Sequence, residues 1–151
     1  MVWAMVLPNG ILAYEVMEGK QNSDTYIKIL KEKAFKIIKL NFKEKMIFQQ
    51  DNCPIHTSRK TKQFIQDSGY DILEWPPYSP DLNIIENIWY LLSQSVYTGF
   101  HIKSLTELKV RIKAAVEDFN VNRYDCVQNL YKSITSRLIS VICKGGNRIM
   151  Y

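Results

Sequence analysis

The sequence has few cysteines and no long apolar run. Cys53, Cys126 and Cys143 are widely spaced and form no Cys-x-x-Cys pair, so their spacing indicates neither a disulfide framework nor a zinc site. We expect three free thiols, mostly buried, in a reducing compartment. No uninterrupted apolar stretch approaches the roughly 18–20 residues that a membrane-spanning helix needs, so we expect no membrane partner.

The first ten residues also lack the features of a secretory signal. No basic segment precedes the apolar stretch, and the turn sequence Pro8-Asn9-Gly10 follows early. The apolar runs at 3–7 and 11–17 on either side of that turn predict a β-hairpin. Its first strand would start at the first residue of the chain, and we therefore expect that a preceding segment is missing.

The composition is ordinary for a folded protein, with 46% hydrophobic and 23% charged residues over 151 positions, and it fits one domain spanning 1–151. The net charge of +5 is uneven. Residues 101–151 contain nine Lys and Arg against four Asp and Glu, whereas residues 1–100 are balanced. A basic last third suits a nucleic-acid backbone, although solvated helical faces explain the same charge.

Strand and helix patterns alternate along the chain. Beyond the hairpin, helices are predicted at 22–39, 57–66, 82–97, 104–120 and 125–143, and short strands at 45–50 and 70–75. Residues that can cap a helix stand at three of these starts: Asn22, Ser23 or Asp24 for the first, Thr57 or Ser58 for the second, and Ser104 for the fourth. A stiff Pro-rich connector occupies 76–80. The order β-β-α-β-α-β-α followed by a helical tail predicts an α/β layer with helices against a sheet.

Two acidic residues are notable because of the elements that present them. Asp51 closes the apolar strand Met-Ile-Phe at 46–48, Glu86 lies on the helix that follows Pro80, and 34 residues separate the two acids. Carboxylates at a strand end and on a helix rim are typical of enzymes that hold divalent metal over a phosphodiester. The ordinary alternative for Asp51 is a turn cap through Asn52.

The helical period gives an expectation for Glu86. At about 100° per residue, residues 88, 89, 92 and 96 fall within about 60° of Ile85 and predict the buried stripe. Glu86 lies about 100° from Ile85, which predicts a partly desolvated carboxylate on the edge of that stripe. The alternative is a first-turn acid stabilised by the helix dipole.

Other positions have open alternatives. His56 is a metal ligand, a phosphate contact or a packed loop residue, and zinc is disfavoured because no second His is near. Asp81 is best interpreted as a helix N-cap, with metal ligation as the alternative. Three aromatic residues either stack on unpaired bases or belong to the core: Trp75, Tyr78 and Trp89.

These residues carry a family resemblance. The stretches Phe-Gln-Gln-Asp-Asn-Cys-Pro-Ile-His at 48–56 and Trp-Pro-Pro-Tyr-Ser-Pro-Asp-Leu-Asn-Ile-Ile-Glu-Asn-Ile-Trp at 75–89 resemble the catalytic domain of the mariner-type (Tc/mariner superfamily) transposases. These proteins are DDE recombinases with a ribonuclease H-like fold, and the 34-residue gap is the spacing of the Tc branch. Smaller similarities at 2–4, at Gly10 and from Ser133 through Arg137 to 144–146 extend the resemblance over essentially the whole chain.

The resemblance implies a role for each acid. Asp51 corresponds to the second catalytic acid and Glu86 to the third, and both would ligate the two Mg²⁺ or Mn²⁺ ions used for hydrolysis at transposon ends and strand transfer into target DNA. The implied partners are DNA and a second copy or a full-length transposase, and the implied location is the nucleus. Ile84 replaces the Pro usual in the family, a minor change because Pro is helpful but not required in a first helical turn.

The resemblance also implies an absence. The family's first catalytic Asp lies on a strand upstream of residues 2–4, after a helix-turn-helix region, and Glu15, Glu18 and Asp24 do not match its motif. We expect a ribonuclease H-like mixed sheet with flanking helices and a C-terminal helical tail, truncated at the N-terminus so that the edges beside the missing first strand are exposed. The expected function is an inactive, truncated DDE transposase; the alternative is a non-catalytic DNA-binding or self-associating protein.

Overall fold

The computed structural model describes residues 1–42, 46–99 and 101–149. Its order confirms the predicted alternation of strands and helices and the helical tail. In chain order the elements are β1 (Val2–Leu7), β2 (Gly10–Val16), α1 (Ser23–Ile29), α2 (Phe35–Asn41), β3 (Ile47–Phe48), α3 (Pro54–Thr57), α4 (Arg59–Asp67), β4 (Asp71–Ile72), α5 (Ile84–Tyr97), α6 (Leu105–Asn122) and α7 (Tyr124–Cys143).

The chain divides into two compact units. The first unit contains Met1–Met5 and Ala13–Tyr78, and the second contains Val6–Leu12 and Ser79–Tyr151. The main boundary falls inside the Pro-rich connector that was predicted at 76–80. The single domain over 1–151 stays a prediction.

The predicted hairpin is confirmed, because β1 and β2 form a two-stranded sheet. Gly10 has φ +124°, which favours glycine, and a Cβ atom there would lie 2.6 Å from the Asn120 side-chain oxygen. That oxygen accepts a hydrogen bond from the Ile11 N–H at 2.9 Å, and Asn120 Nδ2 donates to the Ile11 carbonyl at 2.9 Å. Asn120 therefore binds the hairpin tip within the second unit.

The first long helical segment differs from its prediction in one respect. Its cap is as expected, since the Asn22 side chain accepts from the Thr25 N–H at 3.0 Å. Between α1 and α2, however, Leu30–Ala34 form a π-helical turn. Such a turn adds a residue to the helical repeat, and it accompanies the burial of the adjacent residues Ala34 and Phe35.

β3 and β4 form a second two-stranded sheet, and both strands are shorter than predicted. β3 pairs with β4 in parallel, with Ile47 opposite Asp71 and Phe48 opposite Ile72, whereas strands were expected at 45–50 and 70–75. Lys45, at the start of the predicted strand, lies outside the described residues. Ile47 is 67% exposed, so this strand pair has an accessible apolar residue.

An aromatic cluster supports the strand pair from the helical side. The Phe35 ring lies 5.6 Å from Phe48, 5.7 Å from Phe64 and 4.3 Å from Tyr70, measured between ring centroids. These distances are those of favourable edge-to-face and offset ring pairs. Phe35, on α2, thus contacts β3, α4 and Tyr70, the residue before β4, in the core of the first unit.

In the second unit α5 packs against α6 and α7. Ser104 caps α6 as predicted, because its hydroxyl accepts from the Glu107 N–H at 3.1 Å. The buried residues follow helical spacing on α5 and α6: Ile84, Ile88, Leu92 and Val96, then Ile112, Ala115, Val116 and Phe119.

The cysteines confirm one prediction and contradict another. All three are free thiols, but Cys53 and Cys126 are half-buried and Cys143 is exposed. The expectation of mostly buried thiols was therefore wrong, because Cys143 lies at the exposed last turn of α7. Among the described residues, no helix combines the length and apolar character needed to cross a membrane.

Candidate active-site residues

Asp51 lies in the loop between β3 and α3, as expected from its place after the strand. Its side chain is 54% exposed, and its Oδ1 accepts a hydrogen bond from the Cys53 N–H at 3.1 Å. This i to i+2 bond is the turn cap that the sequence offered as the ordinary alternative. The cap and a functional role are compatible, because one carboxylate oxygen makes the turn.

His56 also contacts Asp51. Its Nδ1 lies 2.5 Å from Asp51 Oδ1, and because a carboxylate only accepts, the Nδ1–H of His56 is the donor. Pro54 occupies the first position of α3, where proline favours a helix start. The Cys53 carbonyl accepts from the His56 N–H at 2.8 Å, so this short helix fixes the imidazole beside the acid.

Two further side chains hold His56 in place. The Tyr26 ring lies 4.3 Å from the imidazole ring, measured between centroids. Tyr26 donates its hydroxyl to Gln50 Oε1 at 2.9 Å, and Gln50 Nε2 donates to the His56 carbonyl at 3.0 Å. Burial, and next the negative charge of Asp51, raise the pKa of the Tyr26 hydroxyl far above its usual range, so Tyr26 stays a neutral donor.

The chemistry of Asp51 suits a hard divalent cation, which prefers oxygen ligands. Both hydrogen bonds to its carboxylate use Oδ1, and Oδ2 accepts none from the described residues. Two metal ions need more ligand side chains than are grouped here. The described part of the chain contains no group of three or more His, Cys, Asp or Glu side chains suited to a metal. The carboxylate oxygen of Asp51 is therefore a ligand that fits Mg²⁺ or Mn²⁺, while the set of metal ligands is incomplete.

Glu86 lies in the first turn of α5, but its side chain is exposed. The prediction of a partly desolvated carboxylate was wrong. The buried stripe consists of residues 84, 88, 92 and 96, and at about 100° per residue its centre lies about 140° from Glu86. An acid in the first helical turn is favoured by the helix dipole, so the structure presents Glu86 to solvent from a stable helix start.

Asp81 is not the cap of α5, contrary to the prediction. The cap position is Asn83, because residues 80–82 form a turn that delays the helix by two residues. Asp81 instead accepts twice: its Oδ2 from the Ile149 N–H at 2.9 Å and its carbonyl from Arg137 Nη1 at 2.8 Å. Asp81 thereby fixes the turn before α5.

The aromatic candidates separate into two kinds. Tyr78 is 96% exposed and has φ +55°, a left-handed conformation that is uncommon outside glycine. The core alternative is therefore wrong for Tyr78. Trp75 and Trp89 are half-buried, and base stacking by any of the three stays a prediction.

Three residues support the candidate acids in a way that the sequence patterns did not predict: Tyr26, Gln50 and Arg137. Tyr26 is an apolar-face position of the first predicted helix, and nothing local to Gln50 indicates that it joins Tyr26 to His56. Arg137 offered a signal, since it interrupts the apolar helical stripe of residues 127, 130, 134 and 141. A charged residue within such a stripe indicates a buried, bonded cation.

Comparison with solved structures defines the class of fold. The chain matches the Mos1 transposase catalytic domain with Raltegravir and Mn at a TM-score of 0.87, with 15% sequence identity over 99% of this chain and 76% of that one. The Mos1 mariner catalytic domain alone gives 0.81, with 15% identity over 99% and 75%. The fold is thus that of a ribonuclease H-like transposase catalytic domain.

Sequence comparison then gives the family. The model described as DDE superfamily endonuclease matches residues 1–109. The Tc3 transposase of Caenorhabditis elegans is 32% identical over all of this chain and 45% of its own length, and the Tcb1 transposase of Caenorhabditis briggsae is 28% identical over all of this chain and 54% of its own. The chain belongs to the Tc/mariner family of DDE transposases. It spans about half the length of these curated relatives.

Proposed function

We propose that this chain supplies two of the three catalytic acids of a DNA transposase, Asp51 as the second and Glu86 as the third. The observation that carries the proposal is the presentation of Asp51 at the end of β3. Its Oδ1 is held by Cys53 and His56, while its Oδ2 accepts no hydrogen bond from the described residues. A carboxylate that is oriented through one oxygen, on a side chain that is 54% exposed, is suited to ligation.

Asp51 and Glu86 would each contribute oxygen to Mg²⁺ or Mn²⁺, and solved Mos1 catalytic domains include one with Mn and one with Mg. Bound ions of this kind activate an attacking hydroxyl and stabilise a leaving oxygen. In this chain His56 and the Cys53 N–H orient Asp51, and the first turn of α5 carries Glu86. These neighbouring residues would hold and orient the two acids.

The proposed partner is DNA at transposon ends and in the target. Structures of Mos1 include a paired-end complex with the left transposon end and a strand transfer complex. Of the nine basic residues in 101–151, Arg137 is buried, Arg111 binds Glu107 at 3.0 Å, and seven are exposed. Exposed cations bind phosphates with strong salt dependence. We also propose that two copies of the transposase pair and that it acts in the nucleus.

Two acids do not complete a three-acid set, so the chain alone is proposed to be inactive. With supercoiled plasmid and Mg²⁺ or Mn²⁺, we expect no nicking above that of the Asp51→Ala variant. Nicking by the unmodified chain that Asp51→Ala abolishes would contradict the inactivity. The same assay with a separately supplied full-length relative tests whether this chain joins or inhibits an active assembly.

A second candidate, a non-catalytic DNA-binding protein, is favoured by the seven exposed basic residues. It predicts DNA affinity that falls steeply with salt and is the same in Asp51→Asn and Glu86→Gln. A flat salt response would contradict it. Metal-dependent differences between the two acid variants and the unmodified chain would favour the transposase proposal instead.

A further inference from the structure

Arg137 is the largest fully buried side chain among the described residues, with 1% of its surface exposed. It lies on α7, outside residues 1–109 that the family model matches. Burial of a guanidinium is unfavourable unless its N–H groups are bonded. The described residues contain no buried side-chain nitrogen or oxygen without a partner, and each of the three guanidinium nitrogens of Arg137 donates a hydrogen bond.

The partners of Arg137 are on both sides of the start of α5. Nη1 donates to the Asp81 carbonyl at 2.8 Å, in the turn before the helix. Nη2 donates to Asn87 Oδ1 at 2.9 Å, in the first helical turns. The guanidinium therefore joins two residues that lie six positions apart in the chain, and the planar fork of arginine allows both bonds at once.

The guanidinium is itself oriented from its own helix. Nε donates to the Ser133 hydroxyl at 2.9 Å, and that hydroxyl donates to the Leu130 carbonyl at 2.7 Å. Ser133 lies one turn before Arg137, so the two side chains share a face of α7. Ser133 thus orients the Arg137 guanidinium that donates to Asp81 and Asn87.

Glu86 lies between the two residues that Arg137 binds. It immediately precedes Asn87, and its own N–H donates to the Asn83 carbonyl at 3.1 Å. Asn83 is the cap residue of α5, so this bond closes the first turn of the helix. The backbone that carries Glu86 is fixed from the buried side, while its carboxylate faces solvent.

We propose that Arg137 is a positioning residue for Glu86, holding the first turn of α5 so that the carboxylate is preoriented for a divalent cation. The inference rests on the proposed function of Glu86. Removal of groups that orient a metal ligand weakens metal binding by about 10-fold or more. The fork geometry is the required property, so a lysine, which keeps only the charge, does not replace it.

The test uses backbone amide signals of the whole chain in the wild type and in Arg137→Lys. We expect faster hydrogen exchange at amides 86–88 in the variant, and an Mn²⁺ concentration for half-maximal paramagnetic broadening at Glu86 that is about 10-fold higher. Asn120→Ala is the matched control, because it removes two hydrogen bonds of the second unit at the hairpin tip. It should leave both readouts at 86–88 unchanged.

If Arg137→Lys does not fold, Asn87→Ala replaces it, since it removes only one acceptor of the bridge. Unchanged exchange and unchanged Mn²⁺ response at Glu86 would overturn the positioning role. Equal changes in Asn120→Ala would also overturn it, because the effect would then be general destabilisation. If wild-type broadening at Glu86 persists in Glu86→Gln, the proposed metal function fails, and amide exchange alone decides the positioning role.

Discussion

The two candidate acids are held in different ways by the two units. In the first unit, the side chain of Asp51 is bound directly, by the Cys53 N–H and by His56. In the second, Glu86 lies on a helix whose start is bound by Arg137, a residue 51 positions further along the chain. One acid is oriented through its carboxylate and the other through its backbone.

This difference determines which substitutions should alter the orientation of each acid. A carboxylate bound on one oxygen is sensitive to the neighbouring side chains, here His56 with Tyr26 and Gln50 behind it. A carboxylate carried on a helix is sensitive to the geometry of that helix start. Mutations that affect the orientation of Asp51 should therefore lie close to it in the structure. The orientation of Glu86 should also change when a buried arginine 51 positions along the chain is substituted.

The largest expected effect concerns the core that supports β3 and Asp51. Phe35→Ala should reduce the free energy of unfolding of the first unit by about 4 kcal/mol, because a buried ring with three aromatic neighbours is replaced by a cavity. Native-state hydrogen exchange resolves this loss at the amides of α2 and α4.

The matched control is Leu40→Ala in the same helix, whose side chain is 74% exposed. A change within about 0.5 kcal/mol is expected there. Equal losses in Phe35→Ala and Leu40→Ala would contradict the role of the aromatic cluster.

A smaller effect is expected for two tyrosines, the buried Tyr26 of the first unit and the half-buried Tyr131 of the second. Burial raises the pKa of Tyr131 to about 12, whereas an unfolded tyrosine titrates near about 10. The neutral form is favoured in the folded state, so this stability is present below about pH 10 and is lost as the pH rises towards 12. Tyr131→Phe should cost about 1 kcal/mol at neutral pH, since the bond to the Val6 carbonyl is lost.

Urea denaturation between pH 8 and 11, followed by circular dichroism, measures both consequences. Tyr131→Phe should show a weaker alkaline loss of stability than the wild type, and Tyr26→Phe should do so in the first unit. Tyr97→Phe is the control, because Tyr97 is 60% exposed. An alkaline dependence identical in all three variants would contradict the assignment.

Local patterns predicted much of the fold. Asn22, Ser58 and Ser104 cap the helices that follow them, because a cap depends on a few adjacent residues. The hairpin turn at Pro8-Asn9-Gly10 was predictable for the same reason. Strand lengths were overestimated, since apolar character does not determine how many residues pair.

The surroundings of the acids were less predictable. The turn at 80–82 moves the start of α5 to Ile84. The buried stripe is centred away from Glu86, whereas the helical count from Ile85 placed Glu86 at its edge. Contacts such as Arg137 with Asp81 join residues 56 positions apart. Such contacts depend on tertiary packing, which helical and strand periods do not encode.

The most direct test of the account is the site of Mn²⁺ binding, mapped by paramagnetic broadening of backbone amides. Broadening is expected at 50–53, where Asp51→Asn should remove it, and at 84–87, where Glu86→Gln should remove it. The exposed acids Glu117 and Asp118 report weak surface binding as an internal reference. Broadening that is strongest at this reference, and unaffected by either substitution, would contradict the assignment of Asp51 and Glu86 as metal ligands.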